Sequence, residues 1–210
     1  MEYDVVIVGA GPAGLTTAIK LKQLDPNLSV CILEKGSEVG AHILSGNVFE
    51  TKALDELIPN WRNENAPIKT KVSKEKFLFL GKKSSLSWPT WLLPAVQKNH
   101  KNYIISLANF CRWLAEQAEK LGVEIFPGFP ASEVLYNDDG SVKGVATLDM
   151  GLDKEGNKKD TYQEGMELHA KVTVFSEGCR GHLGKQLIKK FNLDDGKNPQ
   201  QYGICLLYTS

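Results

Sequence analysis

Apolar residues gather in short runs separated by glycine, proline and polar turns, a pattern that predicts an α/β chain built on a sheet. Tyr3 to Val8 is almost continuously apolar, as expected of a strand buried on both faces. Gly9 to Gly14 is a glycine-rich turn, and a helix follows to about Leu24 with Leu15, Ala18 and Ile19 on its inner face. Asp25-Pro26-Asn27 stops that helix, and Ser29 to Glu34 reads as a second buried strand. The three elements make a βαβ-type opening.

Residues 36 to 102 are less regular, with a short amphipathic segment at Lys52 to Ile58 and an apolar loop around Trp88 and Trp91. Tyr103 to Leu121 predicts a helix, because Leu107, Cys111, Leu114, Ala118 and Leu121 step by four and three. Gly122 suits the position just past its end, and Val123 to Phe126 reads as a strand. Ala131 to Tyr136 and Ser141 to Thr147 flank Asn137-Asp-Asp-Gly140, a hairpin signal. A polar hairpin tip is expected near Lys154 to Asn157, a buried strand at Lys171 to Phe175 and a last helix at Gly181 to Phe191.

Composition narrows the classes. The 210 residues suffice for one sizeable α/β domain, and 42% hydrophobic with 24% charged residues reads as soluble and globular. Basic and acidic residues balance at 25 each, so there is no general field to draw in nucleic acid. Cys31, Cys111, Cys179 and Cys205 form no C-x-x-C pair, which predicts free thiols in a reducing compartment and no metal site. His42, His100, His169 and His182 are too scattered to ligate a metal together. The first strand begins near Met1, leaving no room for a targeting peptide, and no apolar run is long enough to span a bilayer as a helix.

Chemistry enters at Val6-Ile-Val-Gly9-Ala-Gly11-Pro12-Ala13-Gly14, a G-x-G-x-x-G that follows a strand and opens a helix. Gly9 permits the tight turn, Gly11 lets the backbone approach a pyrophosphate, and Gly14 allows close helix–strand packing. Pro12 suits the first helical turn, whose free N–H groups and dipole face phosphates. Glu34 stands at the end of the second strand, where a carboxylate accepts from ribose hydroxyls and repels a 2′-phosphate. This predicts a Rossmann-type dinucleotide site. The motif alone does not separate FAD from NAD.

Two further features favour FAD. Gly40-Ala-His42-Ile-Leu-Ser45-Gly46 offers small residues where the chain could pass a bulky cofactor. Ser176-Glu177-Gly178-Cys-Arg-Gly181 forms a second strand–turn–helix that can reach the middle of an extended FAD. Glu177 reads equally well as an acid complementing a helix N-terminus.

The sequence resembles the electron-transfer flavoprotein–ubiquinone oxidoreductase family from about Tyr3 to Ile204. The similarity is carried by Gly40 to Gly46, by Asn99-His100 with Asn102-Tyr103-Ile104, and by Glu133 to Tyr136 with Asp139 to Gly144. Gly165-Met-Glu-Leu-His-Ala-Lys171 and Phe175-Ser-Glu-Gly-Cys-Arg-Gly-His-Leu-Gly-Lys185 complete it, with Glu177-Gly178 where related flavoproteins usually carry Asp-Gly. Lys101 departs from the family's usual Gly, and Cys205 to Ser210 do not follow the family pattern.

The resemblance implies a glutathione-reductase-like FAD domain interleaved with part of a quinone-binding region, here truncated. It divides the chain into an FAD-binding βαβ at 1–40 and an irregular region at 41–102 with quinone- or membrane-facing segments. A helix, meander and second FAD-contact strand–helix follow at 103–204, then a non-family tail at 205–210. Gly9, Gly11, Pro12, Ala13, Gly14, Glu34 and Lys35 would hold the ADP half of FAD. Gly40, Ser45 and Gly46 would lie beside the flavin, and Glu177, Gly178 and Gly181 near its central linkage. No residue is expected to be catalytic, because the cofactor carries the chemistry.

The whole enzyme would pass electrons from reduced electron-transfer flavoprotein to ubiquinone and carry a [4Fe–4S] cluster whose ligands are absent here. It would sit on the cytoplasmic face of a bacterial inner membrane, or on the matrix face of the mitochondrial inner membrane. The fragment alone is expected to be inactive. Alternative readings are an NAD(P)H-dependent FAD hydroxylase or isoprenoid reductase of related fold, and a non-catalytic flavin-binding fragment.

Leu86-Ser-Trp88-Pro-Thr-Trp91-Leu-Leu-Pro94, flanked by Lys82, Lys83, Lys98 and Lys101, has the character of a membrane interface. Leu54, Leu57, Ile58 and Trp61 form a second apolar stripe. Core packing is the plain alternative for both. The resemblance favours the membrane.

Overall fold

A computed structural model describes residues 1–43, 46–152 and 157–199. Ser45, Lys154 and the tail at 205–210 lie outside the described residues. In chain order, β1 (Glu2–Val8), α1 (Pro12–Leu24) and β2 (Val30–Glu34) form the opening unit. Next come β3 (Asn47–Phe49), α2 (Lys52–Leu57), β4 (Thr70–Lys71), β5 (Phe77–Leu80), β6 (Ser85–Trp88) and β7 (Tyr103–Ile105). Then follow α3 (Leu107–Lys120), β8 (Glu124–Pro127), β9 (Ala131–Tyr136), β10 (Val142–Thr147), β11 (Met150–Leu152), β12 (Lys158–Gln163), β13 (Glu167–Phe175) and α4 (His182–Phe191).

The main sheet has six strands in the order β8-β2-β1-β13-β10-β9. The pairs β8–β2, β2–β1 and β1–β13 are parallel, whereas β10 runs antiparallel to both β13 and β9. The apolar runs of β1 and β2 serve two cores. Val5, Ile7, Val30 and Ile32 pack with Leu15 and Ile19 of α1 and with Cys111 and Leu114 of α3. Val6, Val8, Cys31 and Leu33 pack with Val134, Val145, Leu183 and Leu187. Burial on both faces is why these strands show no polar alternation.

Local chemistry sets the element ends. Lys22 is buried near the end of α1, where its Nζ donates to the carbonyls of Pro26 and Leu28. A cation so placed complements the helix dipole and fixes the turn into β2.

Three expectations are corrected. The predicted helix from Tyr103 begins only at Leu107, after Ser106, whose Oγ accepts the Asn109 amide. Tyr103-Ile-Ile105 instead forms β7, paired with both β3 and β4, as aromatic and β-branched side chains favour. Leu121 falls at the helix end and is exposed, and Phe110 and Trp113 join the buried face.

The second correction concerns the stripe over α2. Leu54 and Trp61 are both 3% exposed and belong to the core rather than to a surface. Asp55 organises this turn by accepting hydrogen bonds from Thr51 Oγ1, Trp61 Nε1 and Arg62 Nη1, each at 2.8 Å.

Third, the late strand is nine residues long and not confined to Lys171–Phe175. Glu167 to His169 pair with β10, while His169 to Phe175 run beside β1.

The ribbon of β5 and β6 is exposed on both strands. Its register places Phe77 opposite Trp88 and Phe79 opposite Leu86, so these four side chains share one face. Leu78 and Leu80 lie opposite Ser87 and Ser85 on the other.

Candidate dinucleotide site

The parallel pairing of β1, β2 and β13 brings three strand ends to one edge of the sheet, beside a cleft of about 1010 Å³. That is the size of a large ligand cavity. Gly9, Gly11, Pro12 and Ala13 line it from the first turn, and Glu34 and Lys35 from the second strand. Gly40, Glu177, Gly178 and Gly181 complete the predicted set found there.

The first turn is built for a close approach. Gly9 has φ +104°, and a Cβ there would stand 2.7 Å from the Ser176 carbonyl oxygen. Gly11 is the N-cap of α1, with no side-chain cap and no acid in the first turn. A Cβ on Gly11 would meet no atom within 4 Å, so glycine at this place keeps cleft volume open. The uncapped helix start leaves N–H groups and a positive dipole end for an anion. Gly14 lies behind the cleft, where a Cβ would meet the Gly9 carbonyl, the Ser176 hydroxyl and Ile7.

Glu34 is half-buried at the end of β2. One carboxylate oxygen accepts from the Ala10 amide at 2.9 Å and the other from the Gly36 amide at 2.7 Å. A carboxylate offers about four lone-pair sites, so acceptor capacity remains for hydroxyl donors.

The second turn behaves differently. Glu177 Oε2 accepts from the Gly184 amide at 2.8 Å and Oε1 from the Leu183 amide at 3.4 Å. Its carboxylate therefore caps α4, which is the helix-terminus reading of this residue. His182 Nδ1 lies 3.4 Å from the same carboxylate. Of two helix starts at one cleft, α4 is capped by a carboxylate from the turn before it and α1 is left open.

Gly40 has φ +88°, and a Cβ there would press within 2.8 Å of the Ala108 carbonyl oxygen at the start of α3. Gly46 does not line the cleft, although its neighbours Ile43 and Asn47 do, and its amide donates to the Ile105 carbonyl. Sequence reading missed Asn47, Leu107, Pro130 and Ala131 as lining groups, and it placed Ser176 and Arg180 in the second turn without giving them a contact of their own. Most reach the cleft through non-local pairing and carry no local signal. Arg180 was legible as a cation in a glycine turn.

The residues fit a dinucleotide cofactor: the open cradle at Gly11, the uncapped helix and the tethered carboxylate share one cavity. Among the described residues no group of three or more His, Cys, Asp or Glu could hold a metal. No described helix is long and apolar enough to cross a membrane.

Comparisons with known proteins show what the chain is similar to. The Thi4 family pattern matches residues 1–57. A probable electron transfer flavoprotein-ubiquinone oxidoreductase of Acinetobacter baylyi is 57% identical, covering 97% of this chain and 37% of its own. The Pseudomonas aeruginosa electron transfer flavoprotein-ubiquinone oxidoreductase is 56% identical over 97% of this chain and 38% of its own. The human mitochondrial protein of that name is 51% identical over 98% and 34%. The chain thus spans a little over a third of the length of the curated relatives it matches.

Among solved structures, a geranylgeranyl bacteriochlorophyll reductase-like protein from Thermoplasma acidophilum superposes with a TM-score of 0.57 at 23% identity, over 83% of this chain and 38% of that one. A flavin-dependent brominase gives 0.58 at 20%, over 91% and 41%. These likenesses show an α/β fold of the flavoprotein kind.

Proposed function

On the footing that this chain is homologous across nearly its whole length to the electron transfer flavoprotein–ubiquinone oxidoreductases, we propose that it is the FAD-binding portion of such an enzyme. The whole protein passes electrons from reduced electron-transfer flavoprotein to ubiquinone. The 210 residues alone bind flavin without turnover. The observation that carries this reading is the meeting of the open α1 terminus with the Glu34 carboxylate in one cleft.

FAD, when bound, supplies the electron-carrying chemistry, and the chain's residues hold and orient it. In this Rossmann-type, glutathione-reductase-like reading, Gly9, Gly11, Pro12 and Ala13 present backbone to the pyrophosphate, with Gly14 packing behind them. Glu34 accepts from the adenosine ribose beside Lys35. Gly40, Ser45 and Gly46 border the flavin, and Gly178 and Gly181 its central linkage, with Glu177 holding that turn through α4. The domain division is the one expected from sequence: an FAD-binding βαβ at 1–40, quinone- or membrane-facing segments within 41–102, and the second FAD contact within 103–204. The [4Fe–4S] cluster is assigned to sequence outside this chain, and no step is routed through it.

The β5–β6 ribbon supports a membrane-facing surface. Phe79, Leu86 and Trp88 are exposed on the ribbon, and Trp91 at 74% and Val96 at 92% are exposed in the segment that follows it. Large exposed apolar patches mark protein or membrane interaction surfaces. Lys82, Lys83 and Lys98 suit anionic headgroups. The relatives come from a bacterium and from mitochondria, and the membrane met by this surface is assigned as the bacterial inner membrane from its cytoplasmic side or the mitochondrial inner membrane from its matrix side.

Three measurements test the proposal. Purified chain takes up added FAD and turns yellow; failure to do so ends the dinucleotide reading. In a chimera where residues 1–199 replace the matching third of the Acinetobacter baylyi relative, bound flavin bleaches with reduced electron-transfer flavoprotein and not with NADPH. Rapid bleaching by NADPH points to a hydroxylase or reductase. In the same chimera, Trp88→Asp with Trp91→Asp abolishes flotation with liposomes; unchanged flotation overturns the membrane assignment.

A further inference from the structure

One peptide group of the phosphate cradle is held from both sides. The carbonyl of Gly9 lies 3.0 Å from Ser176 Oγ, and the N–H of Ala10, in the same amide plane, donates to Glu34 Oε2 at 2.9 Å. In a trans amide these two groups point in opposite directions. Ser176 and Glu34 therefore grip the plane from opposite ends.

The Ser176 hydroxyl is also 2.9 Å from the Val8 carbonyl, which accepts the Ser176 amide as well. A hydroxyl has one proton to give, shared here between the Val8 and Gly9 carbonyls. At φ +104° a glycine peptide rotates with little steric restraint. Room for the hydroxyl comes from Gly14, whose missing Cβ would stand 2.7 Å from Ser176 Oγ. The third glycine of the cradle thus admits the side chain that follows β13 as well as allowing α1 to approach β1.

We infer that Ser176 is a positioning residue for the adenosine-binding carboxylate, acting through the Gly9–Ala10 peptide. This rests on the reading of Glu34 as the ribose acceptor. With the hydroxyl in place, the Ala10 N–H is fixed and Glu34, held by the Ala10 and Gly36 amides, directs its remaining lone pairs at the ribose. Without it the peptide is free to turn and the carboxylate keeps only the Gly36 anchor.

The test uses the full chain, with ADP and 2′,3′-dideoxy-ADP as calorimetric probes. Unmodified chain binds ADP more tightly than the dideoxy analogue. Ser176→Ala weakens ADP about threefold to tenfold, the worth of one ordinary hydrogen bond, and leaves the dideoxy affinity almost unchanged, so the preference collapses towards that of Glu34→Ala. Ser176→Thr, which keeps the hydroxyl, restores the preference and is read independently of Ser176→Ala. Equal weakening of both ligands by Ser176→Ala, or an unchanged ratio, overturns the inference while the dinucleotide site stands. No ADP binding by unmodified chain rejects both.

Discussion

The Glu177 carboxylate sits 2.8 Å from the Gly184 amide, so the turn before α4 supplies the anion for that helix's N-terminus, whereas α1 has no equivalent group. Glu177→Ala is expected to cost about 1 kcal/mol of stability, the usual worth of a helix N-terminal cap. Thermal melts should show that loss, while FAD affinity falls less than in a variant of the α1 cradle.

Gly11 and Gly14 should respond oppositely to the same substitution. Gly11→Ala places a methyl in open cleft, so the fold is expected to survive with a loss under about 1 kcal/mol while flavin binding fails. Gly14→Ala drives a methyl against Gly9 and Ser176, and overpacking of that kind costs about 1–3 kcal/mol. Parallel melting and flavin-fluorescence titrations separate the two.

Acid stability should depend on Asp4. The Lys171 ammonium at 2.7 Å, followed by the Ser29 amide and hydroxyl, holds its carboxyl well below the ordinary 3.8. A depressed folded value means the contribution is whole above the ordinary carboxylate range and is lost as pH falls through and below it. Melting temperatures of wild type and Asp4→Asn should differ at neutral pH and draw together as pH falls below about 4 and on into the strongly acid range. The partner shift on Lys171 is upward, so that side of the pair persists until pH rises past the lysine range.

Thiol reactivity should divide by burial. Removal from water pushes Cys31 and Cys111 up to about 12, while Cys179 is exposed in the second glycine turn. Brief alkylation of native chain followed by peptide mass analysis should modify Cys179 and spare the other two. Modification of Cys31 without unfolding would contradict the packing of β2.

The opening βαβ unit was legible because all its signals are local: a run buried on both faces, a glycine turn, a proline at the helix start and an acid at the next strand end. The same locality explains the hairpin of β9 and β10. What sequence missed depends on partners distant in the chain. Tyr103 to Ile105 look like the first turn of α3 until β3 and β4 supply edges for them. Leu54 and Trp61 have the spacing of an amphipathic surface helix, and only the Asp55 network and the core behind it turn them inward. Ser176 carries no motif of its own, since its importance arises from lying beside Gly9 across 167 intervening steps of sequence.

The pairing of β1 with β13 has a consequence for biogenesis. Glu2 to Val8 leave the ribosome long before their neighbour strand, which ends only at Phe175. Until then one side of β1 waits unzipped, and such distant pairing slows folding and exposes sticky backbone. Nascent chains stalled short of residue 175 should therefore lean on chaperones, and flavin can be captured only after almost the whole described chain has been translated.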